Sequence, residues 1–203
     1  YGFYKSTNAG TNWTYIPPSL NVLDGNQGTG SGGQGNYDLG FIVNATNKNT
    51  VYVGGINLWG STDGAVNFDP IAHWTTSYGP TIHGDIHYID RQASTGRYFV
   101  CSDGGVYRTS NMVIGSFSSN FTTTWANLNN GIQVTSFYRL SSSKNAAGRL
   151  CAGAQDNAIF YYKSGAWSTI FGGDGMDNYL DPINNNNVFG ASQYGNFWES
   201  SNN

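Results

Sequence analysis

The stretch Ser6-Thr7-Asn8-Ala9-Gly10-Thr11-Asn12-Trp13 follows a pattern, Ser-x-Asp/Asn-x-Gly-x-x-aromatic, that returns along the chain. Ser61-Thr62-Asp63-Gly64-Ala65-Val66-Asn67-Phe68 is a second copy, with Ala65 in the glycine position. Thr109-Ser110-Asn111 opens a third, which reaches its aromatic, Trp125, only after the insertion Met112 to Thr124. Lys163-Ser164-Gly165-Ala166-Trp167 is a shortened fourth. The physical content is a tight turn. A hydroxyl and an Asx side chain accept hydrogen bonds from the turn's own N–H groups, and glycine supplies positive φ. Ser6, Asn8, Gly10, Ser61 and Asp63 are therefore read as structural. Trp13, Phe68 and Trp167 are expected to be buried at sheet edges. The insertion, rich in Ser and Thr, is expected to be a surface excursion.

Upstream of these turns lies a longer repeat. Val51 to Gly60, Tyr98 to Arg108, Leu150 to Tyr161 and Val188 to Trp198 each read as strand, Gly/Asn/Asp turn, strand. Another apolar run precedes each: Phe41-Ile42-Val43, Ile86-His87-Tyr88-Ile89, Phe137-Tyr138-Arg139-Leu140 and Tyr179-Leu180. The unit is a four-stranded antiparallel sheet of roughly 40 to 55 residues, the size of a propeller blade. The expected fold is all-β, with about four blades in one β-propeller segment and repeat bounds near 1–14, 15–72, 73–128, 129–170 and 171–203. The chain opens and closes at nearly the same point of the repeat. That implies a piece of a larger propeller, completed by the remainder of its own propeller or by a partner chain.

These turns resemble those of the Asp-box, or bacterial-neuraminidase-repeat, β-propellers. The wider pattern runs from Ser102-Asp103-Gly104-Gly105-Val106-Tyr107-Arg108 through Gly173-Asp174-Gly175-Met176-Asp177 to Ser192-Gln193-Tyr194-Gly195. It is similar to secreted bacterial propellers related to the xyloglucanases of glycoside hydrolase family 74 and to the sortilin ectodomain. The resemblance spans essentially the whole chain and speaks for fold more than for function. For function it implies a hydrolase, a receptor or an assembly factor. A sialidase of this architecture needs an active-site Glu and an arginine triad. Here the single glutamate is Glu199 and the five arginines are scattered. A xyloglucanase-type hydrolase needs two Asp residues across a groove with aromatic sugar platforms, for which Trp59, Trp74 and Trp198 are candidates.

Composition narrows the partners. Charged residues make up 10% of the 203, and the formal charge is −3. The nine Lys and Arg do not cluster, so no nucleic-acid footprint exists. No apolar run approaches the length of a transmembrane segment. Abundant Gly, Asn, Ser, Thr and aromatics suit an extracellular or cell-surface β protein. Cys101 and Cys151 fall in equivalent strands and fit either a disulfide or two buried thiols.

Candidate site residues lie at strand entries. In a strand, His83, Asp85 and His87 share a face, and His-x-Asp-x-His offers three groups to a metal, to calcium or another divalent cation, or to neighbouring strands. Asp38, Asp85, Asp174 and Asp177 all precede an innermost strand, and such entries converge at one end of a propeller. They form the candidate ligand-binding set with His83 and His87. Asp85, Asp174 and Asp177 are also candidates for acid–base work on a glycosidic bond. The Gly-rich segment from Asp24 to Gly35 is expected to be a flexible loop. It lacks the alternating carboxylates of a calcium loop. A secreted or cell-surface module binding polysaccharide or protein is the leading reading, and a glycoside hydrolase is the alternative.

Overall fold

The computed structural model describes residues 2–79, 81–118, 121–132 and 135–202. The described residues contain short strands and two single-turn 3-10 segments, with no α-helix among them. By contacts the chain divides into two compact units, Tyr1–Ile132 and Gln133–Asn203; Gln133 and Val134, which in the sequence form a strand entry without charge, lie outside the described residues.

In the first unit, β1 (Phe3–Lys5) and β2 (Thr14–Ile16) form an antiparallel ribbon around the Ser6 turn. Two four-stranded antiparallel sheets follow. One holds β3 (Gly40–Val43), β4 (Val51–Gly54), β5 (Leu58–Ser61) and β6 (Asp69–Ala72). The other holds β7 (Ile86–Arg91), β8 (Tyr98–Ser102), β9 (Gly105–Thr109) and β10 (Ala126–Asn127). In both sheets the strands lie in chain order, joined by short connections except between β9 and β10, where the insertion intervenes. Both faces of β4 and β5 are buried, so these strands read as continuous apolar runs. Strand β7 packs against β3 and β4, and two glycines allow it. A Cβ on Gly54 would stand 2.4 Å from Ile86 Cγ2, and one on Gly40 would stand 3.0 Å from Ile89 Cγ1. Ile86 and Ile89 thereby join Tyr52, Leu58, Ile71, Tyr98 and Val100 in one core cluster. Val51, Val53, Trp59 and Phe68 form a second, against which Phe3 packs.

The second unit repeats the scheme. Strands β11 (Arg139–Ser142), β12 (Leu150–Ala154), β13 (Ala158–Lys163) and β14 (Ala166–Phe171) make a four-stranded sheet. Strands β15 (Asn178–Leu180), β16 (Val188–Ala191) and β17 (Phe197–Ser200) make a three-stranded one. Cys151, Ile159, Tyr161, Leu180 and Val188 form its core. Both cysteines are free thiols, Cys151 buried and Cys101 partly so, and burial pushes the Cys151 thiol up to about 12.

The repeated turns behave as their chemistry predicts. Ser61 Oγ accepts the Ala65 N–H at 3.1 Å and donates to Asp63 Oδ1 at 2.8 Å; that carboxylate accepts the N–H groups of Val66 and Asn67 at 3.1 and 3.0 Å. In the first turn, Ser6 Oγ accepts the Gly10 N–H at 2.8 Å and Asn8 Oδ1 accepts the Asn12 N–H at 2.9 Å. Two aromatic expectations fail. Phe68 is buried at 3% exposure, but Trp13 is 61% exposed and Trp167 46%. Trp13 folds back on its own turn, where its indole N–H donates to the Gly10 carbonyl at 3.0 Å. Trp167 packs against Phe137, Phe160 and Tyr162 on the outer face of β14.

The insertion after β9 also departs from expectation. Phe121 is buried, and Phe117 stands edge-on to Trp59 at 5.7 Å and to Tyr78 at 5.0 Å. Buried Thr123 ties the insertion to itself through the N–H of Val113 at 3.0 Å. Its aromatics outweigh its hydroxyls and cover the β3–β6 sheet. Ser119 and Asn120 lie outside the described residues.

Candidate functional site

The strand entries of the first unit carry a connected polar cluster. The Asp24–Gly35 segment, expected to be flexible, is held down by hydrogen bonds. Asp24 Oδ2 accepts the N–H groups of Gly28 and Gly30, both at 3.1 Å. The Asn21 amide donates to the carbonyls of Gly30 and Gly32 at 2.9 and 2.6 Å. Asn57 donates to the carbonyls of Asp24 and Asn26 at 3.2 Å, and the Trp74 indole to that of Gly25 at 2.7 Å. So anchored, the loop ends in one tight turn in which the N–H groups of Tyr37 and Asp38 both donate to the Gln34 carbonyl. The turn puts the Gln34 and Asp38 side chains together. Gln34 Nε2 donates to Asp38 Oδ2 at 3.2 Å and reaches Asp85 Oδ1 at 2.5 Å.

Asp85 does not sit in a regular strand. Its φ is +60°, and β7 begins one residue later, where the Ile86 N–H donates to the Gly55 carbonyl at 2.9 Å. Its own carbonyl accepts the Asp103 N–H at 3.2 Å. The left-handed conformation costs a non-glycine residue about 1 kcal/mol and breaks the two-residue alternation expected through His83, Asp85 and His87. His83 Nδ1 turns to the Gly84 carbonyl at 3.2 Å, its Cβ resting over Gly104, where an added Cβ would stand only 2.2 Å away. His87 Nε2 meets Asp103 Oδ1 at 2.6 Å. Among the described residues neither histidine joins a three-ligand metal group.

Asp103 completes the cluster. Its second oxygen accepts the Tyr37 hydroxyl at 2.8 Å, and the Tyr37 ring stands edge-on to His87 at 5.0 Å. Asp38 is fully buried, and its Oδ1 has no hydrogen-bond partner among the described residues. Burial raises its carboxyl above the usual range. Asp85 is pushed up to about 6, first by burial, then by the charges of Asp38 and Asp103 and a hydrogen bond to Asp38 that keeps its proton. Its geometric and electrostatic partners agree once Asp85 is taken as the protonated member. Among the described residues no lysine or arginine pairs with these carboxylates. Trp74, 53% exposed, flanks the cluster, its Cβ 3.3 Å from the place a Cβ would take on Gly84.

Of the residues expected from sequence, Asp38, Asp85, His83 and His87 thus lie in one unit, around the entry to β7. Gln34, Tyr37 and Asp103 belong with them and were not anticipated. Asp103 read only as the Asp-Gly turn between β8 and β9, and nothing local distinguishes Gln34 or Tyr37. Asp174 and Asp177 belong to the second unit. Asp174 Oδ1 accepts the N–H of Asp156 at 2.7 Å, bracing the turn between β12 and β13, where Asp156 has φ +55°. Asp177 is exposed and accepts the Asn178 N–H at 3.0 Å. It borders a cavity of about 200 Å³ lined by Tyr179, Phe189 and Phe197.

Known structures share this arrangement of sheets. A glycoside hydrolase family 74 enzyme from Niastella koreensis superposes with a TM-score of 0.51 at 16% identity, over 99% of this chain and 30% of that one. The family 74 xyloglucanase from Xanthomonas campestris does so with 0.58 at 14% identity, over 99% and 31%. The fold is a β-propeller. The chain spans about a third of the length of these propellers, and at such identities the likeness concerns fold alone. No family model matches the chain, and no curated protein matches it. Among the described residues no helix is long and apolar enough to cross a membrane.

Proposed function

We propose that this propeller segment is a glycan-binding module, exported or displayed at the cell surface, whose ligand rests on Trp74 and is held by Asp85, Asp103, His87 and Tyr37. The rest of its own propeller or a partner chain completes the molecule. The observation carrying the reading is the fixed polar constellation around Asp85 beside a half-exposed indole. Sugars are bound by such pairings, in which an aromatic face takes the C–H surface and charged acceptors take the hydroxyls. Trp74 is held in place by its bond to Gly25, so little ordering accompanies binding.

Titration calorimetry and a glycan array in EDTA test it. Xyloglucan or cello-oligosaccharide binding is expected to weaken about tenfold or more in Trp74→Ala and Asp85→Ala, with unchanged circular dichroism. No glycan binding by the wild type overturns it in favour of a protein ligand. One observation favours a second reading, hydrolysis of a glycosidic bond: the Asp85 carboxyl is pushed up to about 6, so that it keeps its proton into mildly acid solution, as a general acid must. Its partner is not Asp38, which lies close enough to share Gln34 and leaves no room for a sugar between them. Reducing-end release from xyloglucan, abolished in Asp85→Asn, would establish that activity.

A further inference from the structure

We propose that the unpaired edge of β1 and the uncovered face of β3 bind the β15–β16 hairpin of a second copy of this chain. The inference takes the partner chain of the reading above to be a second copy and depends on nothing else in it. Among the described residues β1 pairs with β2 alone, whereas β5, the equivalent strand before the Ser61 turn, also pairs with β4. The N–H and C=O groups along one edge of β1 are thus open to another strand. Leu39, Phe41 and Val43, on and just before β3, are 57%, 50% and 43% exposed. Leu39 and Phe41 line, with Phe3, Tyr4 and Val53, a cavity of about 290 Å³.

The next sheet shows what such a face receives. Ile89, opposite Val100, holds the place in β7 that Phe41, opposite Val53, holds in β3. Ile89 is only 3% exposed, because Gly40 and Tyr52 of the preceding sheet pack against it. The cross-strand neighbour of Tyr52 is Ile42, and the same pair recurs in the second unit as Phe189 opposite Tyr179. There Val188 and Leu180 turn into the core, so Phe189 and Tyr179 point to the other face. Tyr179 is 51% exposed, and both rings border the cavity beside Asp177. The chain therefore carries two open halves of an interface that it already uses once, between β3–β6 and β7–β10. Contiguous apolar faces left in water mark sites of association.

Strand chemistry selects β16 as the neighbour of β1. Phe3-Tyr4-Lys5-Ser6-Thr7-Asn8 matches Phe197-Trp198-Glu199-Ser200-Ser201-Asn202. Ser200 Oγ donates to Asn202 Oδ1 at 3.2 Å, as Ser6 Oγ does to Asn8 Oδ1 at 3.0 Å. Strands β1 and β17 are one strand of the repeat, present twice. Because β17 pairs with β16, β1 fits the same edge. Exchange of β17 for the β1 of another copy sets Phe3 opposite Ala191 and Lys5 opposite Phe189. It also brings β2 as a fourth strand to a sheet that has three among the described residues. Backbone pairing is exchanged like for like, while both apolar faces leave water.

Sedimentation velocity and light scattering on the 203-residue chain, over a wide range of concentration, test the proposal. Concentration-dependent assembly of two or more copies is expected. Phe41→Asp and Tyr179→Asp, each at an exposed ring and each checked for native circular dichroism, should weaken it about tenfold or more. An equal mixture of the two variants should recover a dimer, because in a front-to-back contact each keeps the half that the other has lost. Ile183→Asp, at a residue 90% exposed in the turn between β15 and β16, should change nothing. A wild-type chain that stays monomeric at every concentration overturns the proposal. So does assembly of folded Phe41→Asp at wild-type strength, or a failure of the two folded variants to complement each other. Glycan binding enters none of these readouts, so failure of the docking and failure of the glycan reading are separate results.

Discussion

Gln34 joins two carboxylates that precede different strands: its side-chain nitrogen lies 3.2 Å from Asp38 Oδ2 and 2.5 Å from Asp85 Oδ1. Bridged in this way, with Asp103 close by, the pair holds a proton in the folded chain that the unfolded chain releases. Asp85 titrates at about 6 when folded against an ordinary 3.8, so its contribution to stability is complete below about 3.8 and disappears as pH rises through about 6. Asp85→Asn cannot ionise. In EDTA, its Tm relative to the wild type should therefore climb between about pH 4 and pH 7. A Tm difference that stays flat across that range would refute the shared-proton account.

Asp63 has the opposite sign. The Asn67 N–H above all, with further bonds from the Asn67 amide, Ser61 and Val66, holds its carboxyl down at about 2. The ionised form is favoured in the folded state, so the stabilisation is present above about 3.8 and fades as pH falls through about 2. Asp63→Ala should cost on the order of 1 kcal/mol at neutral pH. The cost should shrink in acid. Asn8→Ala in the equivalent turn should show a similar loss without the pH dependence, since an amide does not ionise. Denaturant unfolding at pH 7 and below pH 3 checks both, and equal losses for Asp63→Ala at the two pH values would count against the assignment.

The two aromatics at the ends of these turns should differ sharply. Phe68 stacks on Phe3 at 5.1 Å inside a core cluster, and Phe68→Ala should cost about 3 to 5 kcal/mol. Trp13→Ala should cost less than about 1 kcal/mol, because the indole is mainly in solvent. Chemical denaturation of the two variants side by side gives the answer, and comparable losses would contradict the packing described.

Gly175 fills a position where backbone meets backbone. An added Cβ would stand 2.1 Å from the Ala158 carbonyl oxygen, while its own N–H donates to the Ala154 carbonyl at 2.9 Å. Neither partner can move without opening the β12–β13 hairpin. Gly175→Ala should therefore destabilise the second unit by more than about 2 kcal/mol. Gly172→Ala meets nothing within 4 Å among the described residues and should be nearly neutral. Hydrogen exchange on β12, β13 and β15 would show whether the damage is confined there.

The tandem Ser-x-Asx turns and the strand–turn–strand runs were legible because each is settled within a few residues. The hydroxyl, the carboxylate and the N–H groups they capture lie two to four positions apart, as Ser61, Asp63 and Asn67 do. The same short reach explains why sheets of three or four strands in chain order could be read from apolar runs and turns alone. Packing of whole segments was not legible in this way. The insertion after β9 looked polar residue by residue, yet Phe117 and Phe121 outweigh its hydroxyls once Trp59 and Tyr78 are beside them.

The sequence by itself determined the all-β class, the repeated turn chemistry, and the fact that carboxylates stand just before β3, β7 and β15. Only the tertiary structure decided which of them meet. Gln34 and Asp85 are 51 residues apart and Tyr37 and Asp103 66, so their contacts depend on two sheets packing through Gly40 and Gly54. The same packing places Asp85 at φ +60°, which turns His83 and His87 away from a shared metal set and leaves Asp38 buried with one oxygen that has no hydrogen-bond partner among the described residues. Hydrogen bonds within a turn need only a few neighbouring residues, whereas burial and charge coupling arise when distant segments exclude water together.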